Sequence, residues 1–201
     1  MQFRFGRVVS LFTFCASALV AGCGHIPVTT MYKLWSFDFA HADPGAIRAA
    51  IRVPDALMAR PAGAKLTLTR NTTGSASPVV ETFILEEVRD PRELEQLARF
   101  ARSGYPVTAY KLAAPDVQKL KSMQAEINAA RAAGKADARG NLGVAIDACH
   151  RKAMPQGALL SSTYLKLDDE AGYMPLVEDI DLRKEISSED LAKQIPPCGR
   201  G

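Results

Sequence analysis

The chain has 201 residues, of which 47% are hydrophobic and 23% are charged, and its formal net charge is +3. These values are typical of a globular protein with enough chain to bury a core, and they exclude a disordered chain. The charge is small and forms no basic cluster or polybasic tail, which argues against nucleic acid as a partner and against a charge-driven contact with anionic lipid.

The first segment has the pattern of a secretory leader. Arg4 and Arg7 precede an apolar run at 8–19, which has the length of a signal-peptide core and is too short for a transmembrane helix. Small residues then lead directly into Cys23. This resembles the lipobox of bacterial lipoproteins, in which the cysteine is lipidated and becomes the new N-terminus. The resemblance implies a signal peptide at 1–22, a short lipidated tether at 23–30 and a single globular domain at 31–201.

The residues after Cys23 carry a second resemblance. Positions 23–28 and 31–34 read CGHIPV and MYKL, and they resemble the start of a set of uncharacterised proteobacterial envelope lipoproteins. That likeness implies a Gram-negative envelope and carries over no functional residue. Gly24, in place of aspartate, resembles the pattern of lipoproteins sorted to the outer membrane. The expected location is the outer membrane facing the periplasm, with acyl chains on Cys23 as the membrane contact and an envelope protein as partner.

The predicted domain begins with an aromatic strand. Residues 31–39 alternate with period two, so Trp35, Phe37 and Phe39 share one face. We expect this face to seal the core or to form a surface for a ligand or partner. The tether at 24–30 spans at most about 25 Å when extended, which keeps the domain close to its membrane.

A β-hairpin is predicted next. A turn at 43–45 is followed at 47–53 by a short strand or by a helical turn running into a strand, and the proline-broken stretch at 54–63 predicts a loop. Alternation at 64–70 and again over 79–88 predicts the two strands of the hairpin.

Two helices are predicted in the middle of the chain. Asp90 has the features of a helix cap, Pro91 suits the first helical position, and Gly104 is expected to end this helix before a strand at 105–112. Pro115 opens a second, longer helix that Gly134 ends.

The last third of the chain returns to strands. Segments 142–149, 159–167 and 173–177 are predicted strands, followed by a short capped helix at 187–194. The fold class expected is α+β: a mainly antiparallel sheet or sandwich with two inserted helices and a short C-terminal helix. The strand–helix alternation between 79 and 149 leaves a partly parallel sheet as the alternative.

The cysteines predict one disulfide. Cys15 falls in the leader and Cys23 is assigned to the lipid, so Cys149 and Cys198 remain as a pair in an oxidising compartment. The alternative is a catalytic thiol at Cys149 activated by His150. Neighbouring residues of a strand point to opposite faces, which favours the disulfide.

The polar residues with chemical potential show no catalytic or metal-binding spacing. They are His25, His41 and His150, the acids at 168–170 with Glu178, Asp179 and Asp181, and the hydroxyls at 161–163. The acids lack the order of a calcium loop, and the hydroxyls lack the glycines of a nucleophile elbow. We therefore predict no catalytic residue, no metal and no cofactor.

The sequence predicts a membrane-anchored, non-catalytic binding or assembly module. A lipid or small-apolar-ligand binder that uses Trp35, Phe37 and Phe39 is the alternative, and a hydrolase with an unmarked site is the second alternative. A deep apolar pocket would favour the ligand binder, and an acid–base pair converging in a cleft would favour the hydrolase.

Overall fold

The computed structural model describes residues 40–70, 79–134 and 140–199. Cys23, the tether and the predicted strand with Trp35, Phe37 and Phe39 lie outside the described residues, as does the predicted loop at 71–78. In the described part of the chain, no helix has both the length and the apolar character needed to cross a membrane.

The described residues form one seven-stranded sheet. Its strands are β1 (Arg48–Arg52), β2 (Leu57–Arg70), β3 (Val79–Glu87), β4 (Val107–Leu112), β5 (Gly140–His150), β6 (Leu160–Lys166) and β7 (Met174–Asp181). The order across the sheet is β5-β2-β3-β4-β1-β6-β7, and every neighbouring pair is antiparallel. The partly parallel alternative is therefore wrong.

Helices pack on both faces of this sheet. They are α1 (Pro91–Leu97), α2 (Ala114–Ala132), α3 (Leu182–Glu185) and α4 (Ser188–Gln194), with single 3-10 turns at Pro44–Ala46 and Ala98–Phe100. The predicted cap of α1 is present, since the Asp90 carboxylate accepts a hydrogen bond from the Arg92 amide at 2.9 Å. The predicted α+β class, with two inserted helices and a short C-terminal helix, is confirmed.

The sheet curls into a half-barrel with α2 on its inner face. Alternation puts Leu66 of β2 and Phe83 of β3 on that face, where they pack with Leu120 and Met123 of α2. Side chains of β5 also meet side chains of β6 and β7 across the opening, Val144 lying in the same cluster as Leu165 and Met174. Apolar side chains thus connect the edge strand β5 with the other side of the curled sheet, at β6 and β7.

The outer face of β4, β1 and β6 is covered by α1 and the 3-10 turn that follows it. Leu97 packs there with Ala50 and Tyr164. The rings of Phe100 and Tyr164 have their centroids 4.3 Å apart. The outer face of the sheet therefore carries a second apolar layer, which packs against β1 and β6.

The predicted loop at 54–63 is wrong over most of its length. Strand β2 begins at Leu57, and its pairing with β5 shifts between Ala59 and Ala64. The extra residues form a bulge, where Pro61 needs no ladder hydrogen bond. Gly63 is required by a close approach, because a Cβ there would lie 2.5 Å from the carbonyl oxygen of Asp147. The two prolines that suggested a loop thus mark a strand entry and a bulge.

The structure differs from the prediction at other places along the chain. Gly104 does not end a helix; it has φ 74° in the turn that brings Arg102 to Tyr105. Strand β7 continues to Asp181 with two register shifts, well beyond the predicted end. Helix α3 was not predicted, because four residues are too few to show a helical period.

Candidate ligand cavity

A cavity of about 350 Å³ lies at the open side of the half-barrel. Its walls come from β1, β2, β5 and β6, and α3 and α4 contribute further lining residues. The aliphatic part of the lining includes Ile51, Val53, Leu57, Val144, Ile146 and Ala148. A cavity of this size is at the lower end of the range for small-molecule sites.

Strand alternation and the β2 bulge together shape the aliphatic wall. Ala64 pairs with Ile146 and Ala59 pairs with Ala148, so four residues of β2 lie opposite the single residue between them on β5. The bulge lets β2 contribute Leu57 and Ala59 to the cavity while its later residues fill the core.

Helices α3 and α4 place Leu182, Ile186 and Ile195 against the cavity. The Asp181 carboxylate accepts from the Leu159 amide at 2.9 Å and from the Arg183 amide at 3.2 Å. The hydrogen bond from Leu159 is the main reason that the pKa of Asp181 is lowered. One carboxylate therefore caps α3 and joins it to the start of β6.

The disulfide between Cys149 and Cys198 holds the other end of these helices. Their Cα atoms are 4.9 Å apart, so the predicted pairing is confirmed. Backbone hydrogen bonds reinforce it: His150 donates to Pro196 at 3.0 Å and Cys198 donates to His150 at 2.9 Å. The chain after α4 is thus attached to the end of β5 at the edge of the cavity.

Two hydroxyl groups on β6 interrupt the apolar lining, and Gln194 of α4 adds an amide at another wall. Ser161 and Thr163 are two residues apart on β6, so both side chains are on the cavity face. Both residues are half-buried, and neither hydroxyl is hydrogen-bonded to another group in the described part of the protein. They face a cavity otherwise bounded largely by aliphatic groups, which makes them the polar feature of this wall.

The charge at the cavity is confined to its rim. Asp147 belongs to the lining, but its carboxylate is 2.6 Å from the Lys65 ammonium and its side chain is 56% exposed. The lining contains no lysine, arginine or histidine from the described residues. A ligand with a negative group would find no counter-charge inside.

An ionic cluster around the buried Arg52 lies on the opposite face of the sheet. Arg52 is 3% exposed and donates to Phe100 O at 2.9 Å, to Ser162 Oγ at 2.8 Å and to Asp179 Oδ1 at 2.7 Å. Arg102 donates to the other oxygen of Asp179 at 3.0 Å. Asp179 has φ 52° in the irregular part of β7, which turns its carboxylate toward both guanidinium groups.

Electrostatics in this cluster favour the ionised carboxylate of Asp179. Burial on its own would raise the pKa of Asp179, but hydrogen bonds from Arg102 and Arg52 and their charges outweigh it and lower the pKa. Each polar group already has a protein partner, so the cluster ties β1, β6 and β7 together. The strained backbone conformation of Asp179 is thus used to place its carboxylate beside the two arginines.

A second ionic group fastens α1 to the sheet. Lys166 is 3% exposed and lies 3.1 Å from Glu93 of α1 and 2.9 Å from Asp169. Burial would lower the pKa of Lys166, but its hydrogen bonds to Asp169 and Glu93 raise it. The predicted acidic turn is thereby used in part as a partner for a buried lysine.

The structure does not bring the other polar candidates together. His150 has its Nδ1 3.1 Å from the Lys152 carbonyl, and Asp168 accepts from the Ala171 amide at 2.5 Å. Over the ranges 40–70, 79–134 and 140–199, no three His, Cys, Asp or Glu side chains are grouped closely enough to hold a metal ion.

Sequence reasoning missed the role of Ser161 and Thr163. The available signal was the alternation on β6, where positions 161 and 163 are polar while 165 and 167 on the same face are leucine. A strand face that changes from leucine to hydroxyl side chains indicates that it leaves the packed core, and here it does so at the cavity.

Comparisons with known proteins do not assign this fold or cavity to a family. No family model, no curated protein and no solved structure matches the chain. The function has to be argued from the residues of the site.

Proposed function

We propose that this protein is a lipid-anchored envelope protein that binds a small apolar or amphipathic molecule in the cavity of its half-barrel. The observation that carries the proposal is the cavity itself, about 350 Å³ in volume and lined largely by aliphatic side chains. An engineered apolar cavity of roughly 150 Å³ is enough to bind benzene. The available space therefore suits a ligand of modest size.

The location is the second part of the proposal. A lipobox-like leader that ends at Cys23 supports acylation of that cysteine, and the short tether would keep the cavity within tens of ångströms of the membrane. Molecules that partition into bilayers are concentrated at the membrane, so the cavity would lie close to a supply of apolar ligands. A ligand binder is the alternative interpretation of the sequence, on Trp35, Phe37 and Phe39, which lie outside the described residues. The apolar cavity supports the same class of function through a different set of residues.

The lining favours binding over catalysis. A serine or threonine nucleophile needs an adjacent base, and no hydrogen bond joins Ser161 or Thr163 to a histidine or carboxylate in the described part of the chain. Asp147 is engaged with Lys65 at the rim. The assembly-module hypothesis stays a prediction. A concave, largely aliphatic cavity favours a small ligand over a flat protein contact.

Methyl NMR on the full chain in lipid nanodiscs tests the proposal. With isoleucine methyl labels, benzene is expected to shift Ile51, Ile146 and Ile186, which line the cavity, and to leave Ile84 unchanged. Ile84 is 50% exposed on the outer face of β3 and reports non-specific partitioning.

A pair of variants on one strand locates the binding. Ala148→Leu adds volume to the cavity wall and should weaken benzene binding about tenfold, whereas Ala145→Leu on the exposed face of β5 should have no effect. Equal shifts at Ile84 and at the cavity methyls, or equal effects of the two variants, would contradict the proposal.

A further inference from the structure

We infer that the cavity selects uncharged aliphatic ligands that carry a hydrogen-bonding oxygen, such as an alcohol or an ester, and that the hydroxyl of Ser161 or of Thr163 binds this oxygen. This inference rests on the proposed binding function and names its ligand class. It follows from three properties of the lining: the position of the hydroxyls, the aliphatic groups around them and the absence of a counter-charge.

The hydroxyls are placed to recognise one polar group. On a strand, positions 161 and 163 are separated by roughly 7 Å, more than two hydrogen-bond lengths, so a single ligand oxygen reaches one hydroxyl and an adjacent pair of oxygens, as in an ester, can reach both. Thr163 lies between Ile51 of β1 and Val177 of β7 in the sheet register, so its hydroxyl is flanked by apolar residues. A hydroxyl both donates and accepts, and it therefore suits an alcohol or a carbonyl oxygen.

The aliphatic part of the ligand has its own place. Val144, Ile146 and Ala148 of β5 line the cavity along with Ile186 and Ile195 from the C-terminal helical region. These side chains offer no hydrogen bond. A ligand whose polar group lies at β6 can bury its hydrocarbon part against them, gaining roughly 25 cal/mol for each Å² of apolar surface removed from water.

Charge sets the limit on the polar group. A carboxylate or phosphate would lose its hydration inside the cavity, and the described lining supplies no cation to replace it. Among the described residues of the lining, the ionisable one is Asp147, an acid already paired with Lys65. Fatty acids and phosphorylated compounds are therefore disfavoured relative to neutral analogues of the same length.

The test uses the full chain in nanodiscs, with isoleucine methyl shifts as the readout and three probes: hexan-1-ol, sodium hexanoate and benzene. Hexan-1-ol is expected to bind at least about tenfold more tightly than hexanoate, since hexanoate carries an unpaired charge. The double variant Ser161→Ala with Thr163→Val should weaken hexan-1-ol about five- to tenfold and leave benzene unchanged.

Thr82→Val is the matched control. Thr82 is exposed on the outer face of β3, and losing its hydroxyl should change neither the affinity for hexan-1-ol nor the affinity for benzene. If benzene binds but hexanoate equals hexan-1-ol, or if the double variant keeps full hexan-1-ol affinity, the inferred ligand class is wrong while the binding function stands. If no probe shifts the cavity methyls, the proposed function itself fails.

Discussion

At the scale of single residues, Asp179 shows how this protein uses an unusual backbone conformation. A positive φ is uncommon for residues other than glycine, and aspartate and asparagine tolerate it best. Here it turns the carboxylate toward Arg52, whose guanidinium is buried between β1 and the Ala98–Phe100 turn. A buried arginine without this partner would leave an uncompensated charge.

Asp179→Asn removes the charge and keeps a side chain suited to the same φ. We expect the free energy of unfolding at pH 7 to fall by about 2 kcal/mol, less than for a fully buried pair because the Asp179 side chain is 39% exposed. Urea unfolding measures this loss. Glu178→Gln, one residue away, should leave stability nearly unchanged.

The same pair gives a pH dependence with a defined sign. The pKa of Asp179 is lowered in the folded protein from an ordinary value of 3.8. Its stabilisation is therefore present above pH 3.8 and is lost as the pH falls through the lowered pKa. The difference between wild type and Asp179→Asn should shrink below pH 4; a constant difference down to pH 2 would contradict this role.

At the scale of elements, the disulfide decides whether two very short helices can stay in place. Helix α3 has four residues and α4 has seven, which is too short for independent stability. They are held by Asp181 at one end, by Leu191 and Ile195 packed in an apolar cluster with Leu57, and by the Cys149–Cys198 bridge. The cavity lining depends on that attachment.

Replacing both cysteines, Cys149→Ser with Cys198→Ser, should lower the free energy of unfolding by up to about 4 kcal/mol, because the bridge closes a span of 49 residues. Hydrogen exchange should quicken in α4, and benzene should bind more weakly because Ile195 is no longer fixed against the cavity. Reduced wild-type protein should behave like the variant. Unchanged exchange in α4 would show that packing alone holds these helices.

At the scale of the whole molecule, a short stretch of sequence separates the proposed anchor at Cys23 from the described residues that form the cavity. The body is a curled sheet whose open side is lined with aliphatic groups, and the chain that enters it carries a lipobox-like leader a short distance before residue 40. Ala40 and Ala42 accept hydrogen bonds from Asn128 and Gln124 of α2. The start of the described chain is thus attached to the helix that fills the half-barrel.

Cys23→Ser should abolish labelling of the protein by radioactive palmitate and release it from the membrane fraction, because acyl chains supply roughly 0.8 kcal/mol per buried CH₂. Cys15→Ser is the control, since that cysteine lies within the proposed leader and its loss should not change labelling. A Cys23→Ser variant that remains labelled and as firmly bound as wild type would refute the proposed anchor.

Much of the fold was readable from local patterns. Alternation predicted the β2–β3 hairpin, Asp90 and Pro91 predicted the start of α1, and elimination among four cysteines predicted the bridge. These features depend on residues close in sequence or on a small number of alternatives. The prediction failed at 54–63, where the register of a partner strand accommodates Pro61 in a bulge.

The candidate site belongs to what only the tertiary structure decided. Arg52 meets Asp179 across 127 positions of sequence, and the cavity joins residues from β1 through α4. No local pattern predicts such long-range contacts. They depend on the strand order, on the curl of the sheet and on the bulges that decide which face each residue occupies. The sequence by itself determined most of the elements, the disulfide partners and the expected anchor. The curl of the sheet decided that Ser161 and Thr163 line a largely aliphatic cavity, because curling brings β5 and the C-terminal helices opposite β6.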